Sequence, residues 1–372
     1  MKTFKVVPEI QQFESCAEFA ANYQLGKGDL IFLSERIWEK NFKGMIKDGA
    51  ILINYRKYGS GEPTDIMVEG ICGELAGKEY NRVIAIGGGT ILDVAKLFAL
   101  KTVSPVVKLF QKELPVEKEK ELILVPTTCG TGSEVTNISI LELTEINSKF
   151  GLAADELYPD KAVLIPELLA ELPMKFFSTS SIDALIHSIE SFTSPKANDF
   201  TRMYSKKAMK IILKGYKKIA SEGEMARKPL LAEFQLASTY AGIAFGNAGC
   251  AAVHAMSYPL GSKYHVPHGE ANYALFTEVY KTYMRLKPDG AIQELNAYLS
   301  DILECPKTAV YEKMEELLSN ILPKKALHEY GVTETDIDEF TEIVMTKQSR
   351  LMANNYTKLD KGVVKEIYQK LL

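Results

Sequence analysis

Nothing in this 372-residue chain is spaced for a thiolate metal site or a disulfide framework. Its five cysteines, Cys16, Cys72, Cys129, Cys250 and Cys305, are odd in number, far apart and never arranged as C-x-x-C. Uninterrupted apolar runs of roughly 18 residues are also missing, so no membrane-spanning helix is expected. Nor is there an excess of basic charge. Lys and Arg number 44 against 48 Asp and Glu, a formal charge of −4, which argues against a nucleic-acid partner. The amino-terminal MKTFKVVPEIQQFES meets Pro8 and Glu9 before any apolar stretch of signal-peptide length, and a cytoplasmic protein is expected. Internal repeats, low-complexity tracts and long flexible linkers are absent.

What is present reads as two textures. The segments GDLIFLS (28–34), AILINYR (50–56), RVIAIGGGT (82–90) and ELILVPTT (121–128) are short apolar runs with polar or glycine boundaries, the pattern of buried parallel strands. Between them, TDIMVEGICGELAGKEY (64–80) and TILDVAKLFAL (90–100) have helical spacing. Alternation of this kind predicts an α/β unit in which helices cover a parallel sheet. NISILELTEINSKFGLAA (137–154) reads as a hairpin or sheet extension with its turn at Glu145–Ser148. After Pro166 almost every segment has helical periodicity, from SIDALIHSIESF to VVKEIYQKLL. The expected division is an α/β domain over residues 1–166 and an all-helical domain over residues 167–372.

Two glycine turns follow strands in the first half. In GGGTILD (Gly87–Asp93), three glycines allow close backbone approach to a ligand, and the N–H groups opening the next helix favour an anion. A tight strand-to-helix turn with no ligand accounts for this motif equally well. It has neither GxGxxG spacing nor a GK[ST] ending. PTTCGTGSE (Pro126–Glu134) is richer, with Thr127, Thr128, Thr131 and Ser133 hydroxyls around Gly130 and Gly132. Such a concentration of small donors behind a buried strand favours a pyrophosphate and ribose. Two such turns on neighbouring strands suit a dinucleotide at the sheet edge.

In the second half, Asp183 and His187 are four residues apart in SSIDALIH and so share one helical face, with Ser180 or Ser181 as the expected N-cap. The surrounding residues are mostly apolar, and an uncompensated carboxylate there costs several kcal/mol, roughly. A plain Asp–His hydrogen bond also fits this pair. Three of the five histidines, His254, His265 and His268, then fall within AAVHAMSYPLGSKYHVPHGEAN (251–272). His254 lies in a helix-like run that Pro259 is expected to end, and His268 in a Pro-His-Gly turn. A helix and its following loop that fold back bring His254 and His268 to Asp183 and His187. One carboxylate and three imidazoles suit Fe(II) or Zn(II) with room for an exchangeable ligand.

In combination, GGGTILDVAK, VPTTCGTGSEVT, TSSIDALIHSIE and VHAMSYPLGSKYHVPHGEAN resemble, in order, the signatures of the iron-dependent (group III) alcohol dehydrogenase family. The resemblance runs over essentially the whole chain. It implies an amino-terminal dinucleotide-binding domain, a carboxy-terminal helical metal domain and an active site in the cleft between them. It implies metal ligands at Asp183, His187, His254 and His268. NAD contacts are implied at Gly87, Gly88, Gly89, Thr90 and Asp93, then at Thr127, Thr128, Thr131 and Ser133, with Lys149 at the nicotinamide ribose. A homodimer and a small alcohol or aldehyde substrate are implied as well. PTTCGTGSEVTN, DALIHSIE, GIAFGNAG and YHVPHGEANY look most like members that interconvert 4-hydroxybutyrate and succinate semialdehyde; butanol, lactaldehyde/propanediol and glycerol are the alternatives.

Two departures from the family pattern matter. Glu35 stands where members commonly carry an aspartate facing the adenosine ribose. An acid there accepts from the 2′-hydroxyl and repels a 2′-phosphate, so NAD is expected over NADP; a solvated charge at a helix start is the simpler alternative. Tyr258 replaces a histidine often proposed as a proton relay, which leaves that role to Tyr258 or His265. A substrate carboxylate needs a partner, for which Lys263, Tyr264 and His265 are the candidates. Outside the oxidoreductases, a metal-dependent hydrolase or lyase would need a water-activating carboxylate besides Asp183. A nucleotide sensor would not need the Asp/His cluster.

Overall fold

The computed structural model describes residues 3–59, 61, 63–146 and 148–372. The chain divides into two compact units, residues 6–172 and residues 173–372 joined by the first five. The break therefore falls at Pro173, later than Pro166. Two contacts explain the difference. Glu167 Oε2 accepts from the Cys16 backbone N–H at 2.7 Å, and Leu168 and Leu169 are buried, which ties residues 166–169 to the first unit. At the other end, Phe4 stacks on Phe200 and Tyr204 and draws the amino terminus to the helical unit.

Among the described residues the first unit holds eight strands: β1 (Glu9–Gln12), β2 (Asp29–Phe32), β3 (Ile51–Ile53), β4 (Arg82–Gly87), β5 (Glu121–Pro126), β6 (Ile138–Leu143), β7 (Ser148–Ala153) and β8 (Lys161–Leu164). Its helices are α1 (Cys16–Tyr23), α2 (Glu35–Ile37), α3 (Asp65–Leu75), α4 (Gly89–Leu97) and α5 (Val106–Phe110). Six strands form a fully parallel sheet in the order β1-β8-β5-β4-β2-β3. All four residues of β2 are buried, as are five of the six in each of β4 and β5, which matches strands covered on both faces. The chain runs from β2 outward to β3, then returns to place β4 on the other side of β2. The strand order thus reverses between β2 and β4, where ligands of open α/β sheets bind.

Residues 138–153 do form an antiparallel hairpin, β6 with β7, separate from the large sheet. Asn147 of its expected turn lies outside the described residues. Two strands have no counterpart among the expected elements. β1 is an edge strand of sequence EIQQ with mostly exposed side chains, and β8 is only KAVL. Neither presents an apolar run long enough to stand out.

Lys96 on α4 fastens this hairpin to the sheet. It is wholly buried, with Nζ 2.7 Å from the Ile138 carbonyl, 2.8 Å from Ser133 Oγ, and 3.2 Å from both Thr136 Oγ1 and Asp93 Oδ1. Burial pulls the ammonium's pKa down, against the opposing pull of Asp93 and Glu134.

The second unit contains α6 (Met174–Thr193), α7 (Asp199–Glu222), α8 (Leu231–Ala248), α9 (Ala252–Tyr264), α10 (His268–Leu286), α11 (Ala291–Leu303), α12 (Val310–Ser319), α13 (Glu334–Lys347), α14 (Ser349–Met352) and α15 (Lys361–Leu371). The centre of the unit is α6, whose residues from Ser181 to Thr193 are all buried, and which packs against α7, α8 and α10. A helix buried on every side must satisfy its polar side chains internally. No helix among the described residues is long and apolar enough to cross a membrane.

Replacing Lys96 with Met should leave Asp93, Ser133, Thr136 and the Ile138 carbonyl without their shared donor. The expected loss is roughly 3 kcal/mol of unfolding free energy, read from urea denaturation. An unchanged midpoint would show that the ammonium is dispensable.

Candidate active site

Gly87 ends β4 and Gly88 is the N-cap of α4, so the first glycine turn opens directly onto a helix N-terminus. The second turn follows β5, the neighbour of β4, and the Thr127 N–H donates to the Gly87 carbonyl at 2.9 Å. A Cβ added to Gly89 would lie 2.6 Å from Thr131 Cγ2, and one on Gly88 would lie 3.5 Å from Thr128 Cγ2. The two turns are therefore in contact, and at Gly89 the absence of a side chain lets them close up. Gly88, Gly89, Thr90, Thr127, Thr128 and Thr131 are half-buried, available to a ligand at the carboxyl edge of the sheet.

Asp93 and Ser133 are also bonded within the fold. Ser133 Oγ donates to Asp93 Oδ1 at 2.5 Å, and Asp93 Oδ2 accepts from the Ile140 N–H at 3.2 Å. Both side chains are engaged with Lys96 and the hairpin, so they brace the turns from behind. Glu35 opens α2 just beyond β2 and is exposed. It borders a cavity of about 440 Å³ that is also lined by Ser34, Arg36, Lys40, Asn54 and Arg56. Lys149 lies on β7 opposite Glu142.

In the helical unit the sequence-predicted metal residues come together: one ligand atom from each of Asp183, His187, His254 and His268 lies within 4.8 Å of the others. Asp183 and His187 come from the middle of α6, His254 from the first turn of α9 and His268 from the first residue of α10. Asp183 Oδ1 is 3.7 Å from His254 Nε2 and 3.8 Å from His268 Nε2, while Asp183 Oδ2 is 3.9 Å from His187 Nδ1. These separations are too long for hydrogen bonds, so a plain Asp–His bond does not explain the pair. Burial raises the Asp183 carboxyl's pKa, but His187, His268, His254 and the Asn272 amide lower it, and the lowering prevails. Asn272 Nδ2 donates to Asp183 Oδ1 at 2.7 Å. For His254, burial pushes the pKa down, while Cys250 and Glu190 beside it push it up and prevail.

Whether these residues fit a divalent cation can be tested on one atom. His254 Nε2 is buried, aimed at the cluster and, among the described residues, without a hydrogen-bond partner. A buried nitrogen in that condition costs about 1–3 kcal/mol unless something coordinates it. One carboxylate and three imidazoles are a hard-to-borderline donor set suited to Fe(II) or Zn(II). The residues fit.

Several local expectations are corrected. Ser180 and Ser181 are not N-caps: α6 begins at Met174 after Pro173, and both hydroxyls donate back to the Phe177 carbonyl inside the helix. Pro259 does not end α9, which continues to Tyr264. His268 is not in a turn; Pro267 is the N-cap of α10 and His268 its first residue. His265 is exposed, in a left-handed conformation (φ 53°) at the C-cap of α9. Tyr258, by contrast, has its ring 6.1 Å from that of His268. Lys263 pairs with Asp336 at 2.6 Å and with Glu339 at 2.5 Å, and Tyr264 Oη donates to Asp336 at 2.8 Å. Three neighbours of the cluster carried no expectation: Asn272, Phe245, whose ring stacks 4.2 Å from His187, and Glu190, 2.6 Å from His254 Nδ1. The signal for Glu190 was its place seven residues after Asp183, on the same face of an otherwise apolar helix.

Gly269 is where α10 crosses closest to α6. A Cβ there would lie 2.1 Å from the Thr179 carbonyl oxygen and 3.3 Å from Asp183 Cβ. Gly269→Ala should push α10 away, cost about 3 kcal/mol or more, and weaken divalent-cation binding by displacing His268; unfolding curves and metal titration read both.

Asp336 gives a pH prediction. Hydrogen bonds from Lys263, Thr333 and Tyr264 hold its carboxyl well below the usual range. Its folded pKa lies below the unfolded value of about 3.9, so its stabilisation is present above that pH and is lost as pH falls. Asp336→Asn should lower the midpoint of thermal unfolding at neutral pH and narrow the gap to wild type as the pH falls below about 4.

A model of iron-containing alcohol dehydrogenases matches residues 5–166, and a model of the carboxy-terminal part of the Fe-containing alcohol dehydrogenase family matches residues 177–372. The 4-hydroxybutyrate dehydrogenase of Clostridium kluyveri is 47% identical over 371 residues, with 100% of both chains covered. Long-chain-alcohol dehydrogenase 1 of Geobacillus thermodenitrificans is 31% identical, covering 78% of this chain and 75% of its own. Among solved structures, the sulfoacetaldehyde reductase of Bifidobacterium kashiwanohense in complex with NAD+ superposes with a TM-score of 0.86 at 22% identity, covering 100% of this chain and 98% of that one, a likeness of fold. By these matches along its length, the chain belongs to the iron-containing alcohol dehydrogenase family.

Proposed function

We propose that this chain is an NAD-linked, metal-dependent alcohol dehydrogenase that interconverts 4-hydroxybutyrate and succinate semialdehyde. The observation that carries the reading is the gathering of Asp183, His187, His254 and His268 within 4.8 Å, in a chain 47% identical to a 4-hydroxybutyrate dehydrogenase. These four residues would hold Fe2+ or Zn2+. When bound, such an ion supplies a Lewis acid for the substrate's hydroxyl or carbonyl oxygen.

The chain's own residues do the rest. Hydride leaves the carbinol carbon of 4-hydroxybutyrate for NAD+, and the hydroxyl proton goes to solvent, giving succinate semialdehyde, NADH and H+. Tyr258, beside His268, is the residue assigned to carry that proton. His265 is set aside for the relay, because it is exposed at the C-cap of α9. Phe245 lies flat against His187 and fixes that ring while excluding water from its face. The amides of Gly88, Gly89 and Thr90, with the hydroxyls of Thr127, Thr128 and Thr131, are assigned to the pyrophosphate of NAD, and Lys149 to the nicotinamide ribose. Gly87, Asp93 and Ser133 shape these turns from behind. Glu35 is assigned to the adenosine ribose, where its charge disfavours NADP. Lys263 and Tyr264, already bonded to Asp336, are set aside as partners for the substrate carboxylate. A cytoplasmic homodimer is the proposed location and assembly, on the strength of family membership.

Initial-rate assays of NADH oxidation with succinate semialdehyde and with butyraldehyde test this reading. The expected result is a higher kcat/KM for the first, on the strength of the 47% identity to a 4-hydroxybutyrate dehydrogenase. Stripping the metal with a chelator should abolish turnover, and Fe2+ or Zn2+ should restore it. Equal rates on the two aldehydes would remove the substrate assignment; full activity after chelation would remove the metal.

A further inference from the structure

Glu190 is the most deeply buried acid of the helical unit that no role above absorbs. It is 0% exposed, and among the described residues no lysine or arginine pairs with it. An acid in that position must be compensated by hydrogen bonds. Three N–H groups from one place supply them. Glu190 Oε1 accepts from the Val253 N–H at 2.7 Å, and Oε2 accepts from the Ala251 N–H at 3.1 Å. Oε2 is also 2.6 Å from His254 Nδ1. Ala251 is the N-cap of α9 and Val253 lies in its first turn, so the carboxylate sits at a helix N-terminus, where backbone N–H groups lack intrahelical partners.

From this arrangement we infer that Glu190 is a positioning residue, which fixes the tautomer and the orientation of His254 for cation binding. The inference rests on the metal reading of the four-residue cluster. A carboxylate only accepts, so the short contact requires a hydrogen on Nδ1. Nε2 is then the nitrogen that can give up its hydrogen to a cation, and it is the atom that is buried, unpartnered among the described residues and 3.7 Å from Asp183 Oδ1. The opposite tautomer would set a lone pair against the Glu190 carboxylate and point a hydrogen into the cluster. Asp183 and Glu190 are seven residues apart on α6, nearly two full turns, and so lie on one face. That one helix therefore supplies a direct ligand and, two turns on, the group that aims a second ligand carried by α9. Such outer carboxylates are worth about 10–100-fold in metal affinity.

Glu190, Cys250 and His254 also fall within ligand distance of one another. A second cation there is disfavoured, because both Glu190 oxygens are already engaged by N–H donors.

The test is zinc titration of the metal-stripped full-length protein and of Glu190→Gln, with thermal unfolding of both and long-range 1H–15N spectra of the zinc-loaded wild type. The expected result is one zinc per wild-type chain, bound through His254 Nε2 with hydrogen retained on Nδ1, and affinity about 10–100-fold weaker in a cooperatively folded Glu190→Gln. Equal affinity in the folded variant overturns the inference while leaving the metal reading in place. Zinc on His254 Nδ1 in the wild type overturns it even where the variant does not fold. A second zinc per chain that is lost in Glu190→Gln overturns it in favour of direct ligation. A wild-type chain that binds no zinc or iron overturns both readings together.

Discussion

The helical unit is organised around the need to keep Asp183 charged in a place without water. A carboxylate in the middle of a fully buried helix is tolerable only if positive or partly positive groups surround it. Three imidazoles and one amide do so here, delivered by α6, α8's neighbour α9, and α10. This demand explains features that otherwise look unrelated. Gly269 lets α10 approach α6 until its position is set by the Thr179 carbonyl. Asn272, one turn after His268 on the same face, donates to Asp183 and so fixes the carboxylate's rotamer. Phe245 closes the remaining side of His187. Loss of any of these leaves a charge that the surrounding apolar side chains cannot solvate.

The first unit solves a different problem with a similar device. Two glycine turns must stay open to a ligand and yet hold their shape. Backbone amides that face outward cannot also bond to one another, so the turns are held from behind by Asp93, Ser133 and the buried Lys96. Both units therefore place an engaged polar group one layer beneath the residues assigned to a ligand. In each case the inner group, Lys96 or Glu190, is wholly buried, while some of the outer groups keep partial exposure.

Much of this was legible in the sequence, for reasons that can be named. The apolar runs of β2, β4 and β5 stood out because central parallel strands bury both faces. β1 did not, because EIQQ at a sheet edge carries no such signature. The clustering of Asp183, His187, His254 and His268 was legible because an i, i+4 pair fixes two side chains on one face, and histidines are scarce enough for a cluster to be noticed. Local geometry around them was less so. Ser180 and Ser181 resemble a cap, yet the buried Phe177 before them extends the apolar face and the helix with it. Pro267 and Gly269 suggest a turn, yet a proline just before a helix costs no hydrogen bond, and Gly269 serves close packing. Glu190 does not stand out in the sequence, because a glutamate in a helix usually meets solvent; its burial depends on the N-terminus of α9, which is distant in sequence.

On the proposed assignment, Tyr258 takes over the proton-carrying work that the family resemblance gives to a histidine. A phenol titrates near 10, well above an imidazole, so it is a weaker base at neutral pH and passes a proton by donating and accepting in turn. The acidity of the substrate hydroxyl must then come mainly from the charged cluster itself. A cluster that carries that burden gains from tightly oriented ligands, because small rotations of an imidazole weaken its lone-pair donation. The 2.6 Å contact from Glu190 to His254, and the ring stacked on His187, are the restraints that such a site needs. On this argument the rigidity of the ligands and the presence of tyrosine in place of a second base are linked features of one solution.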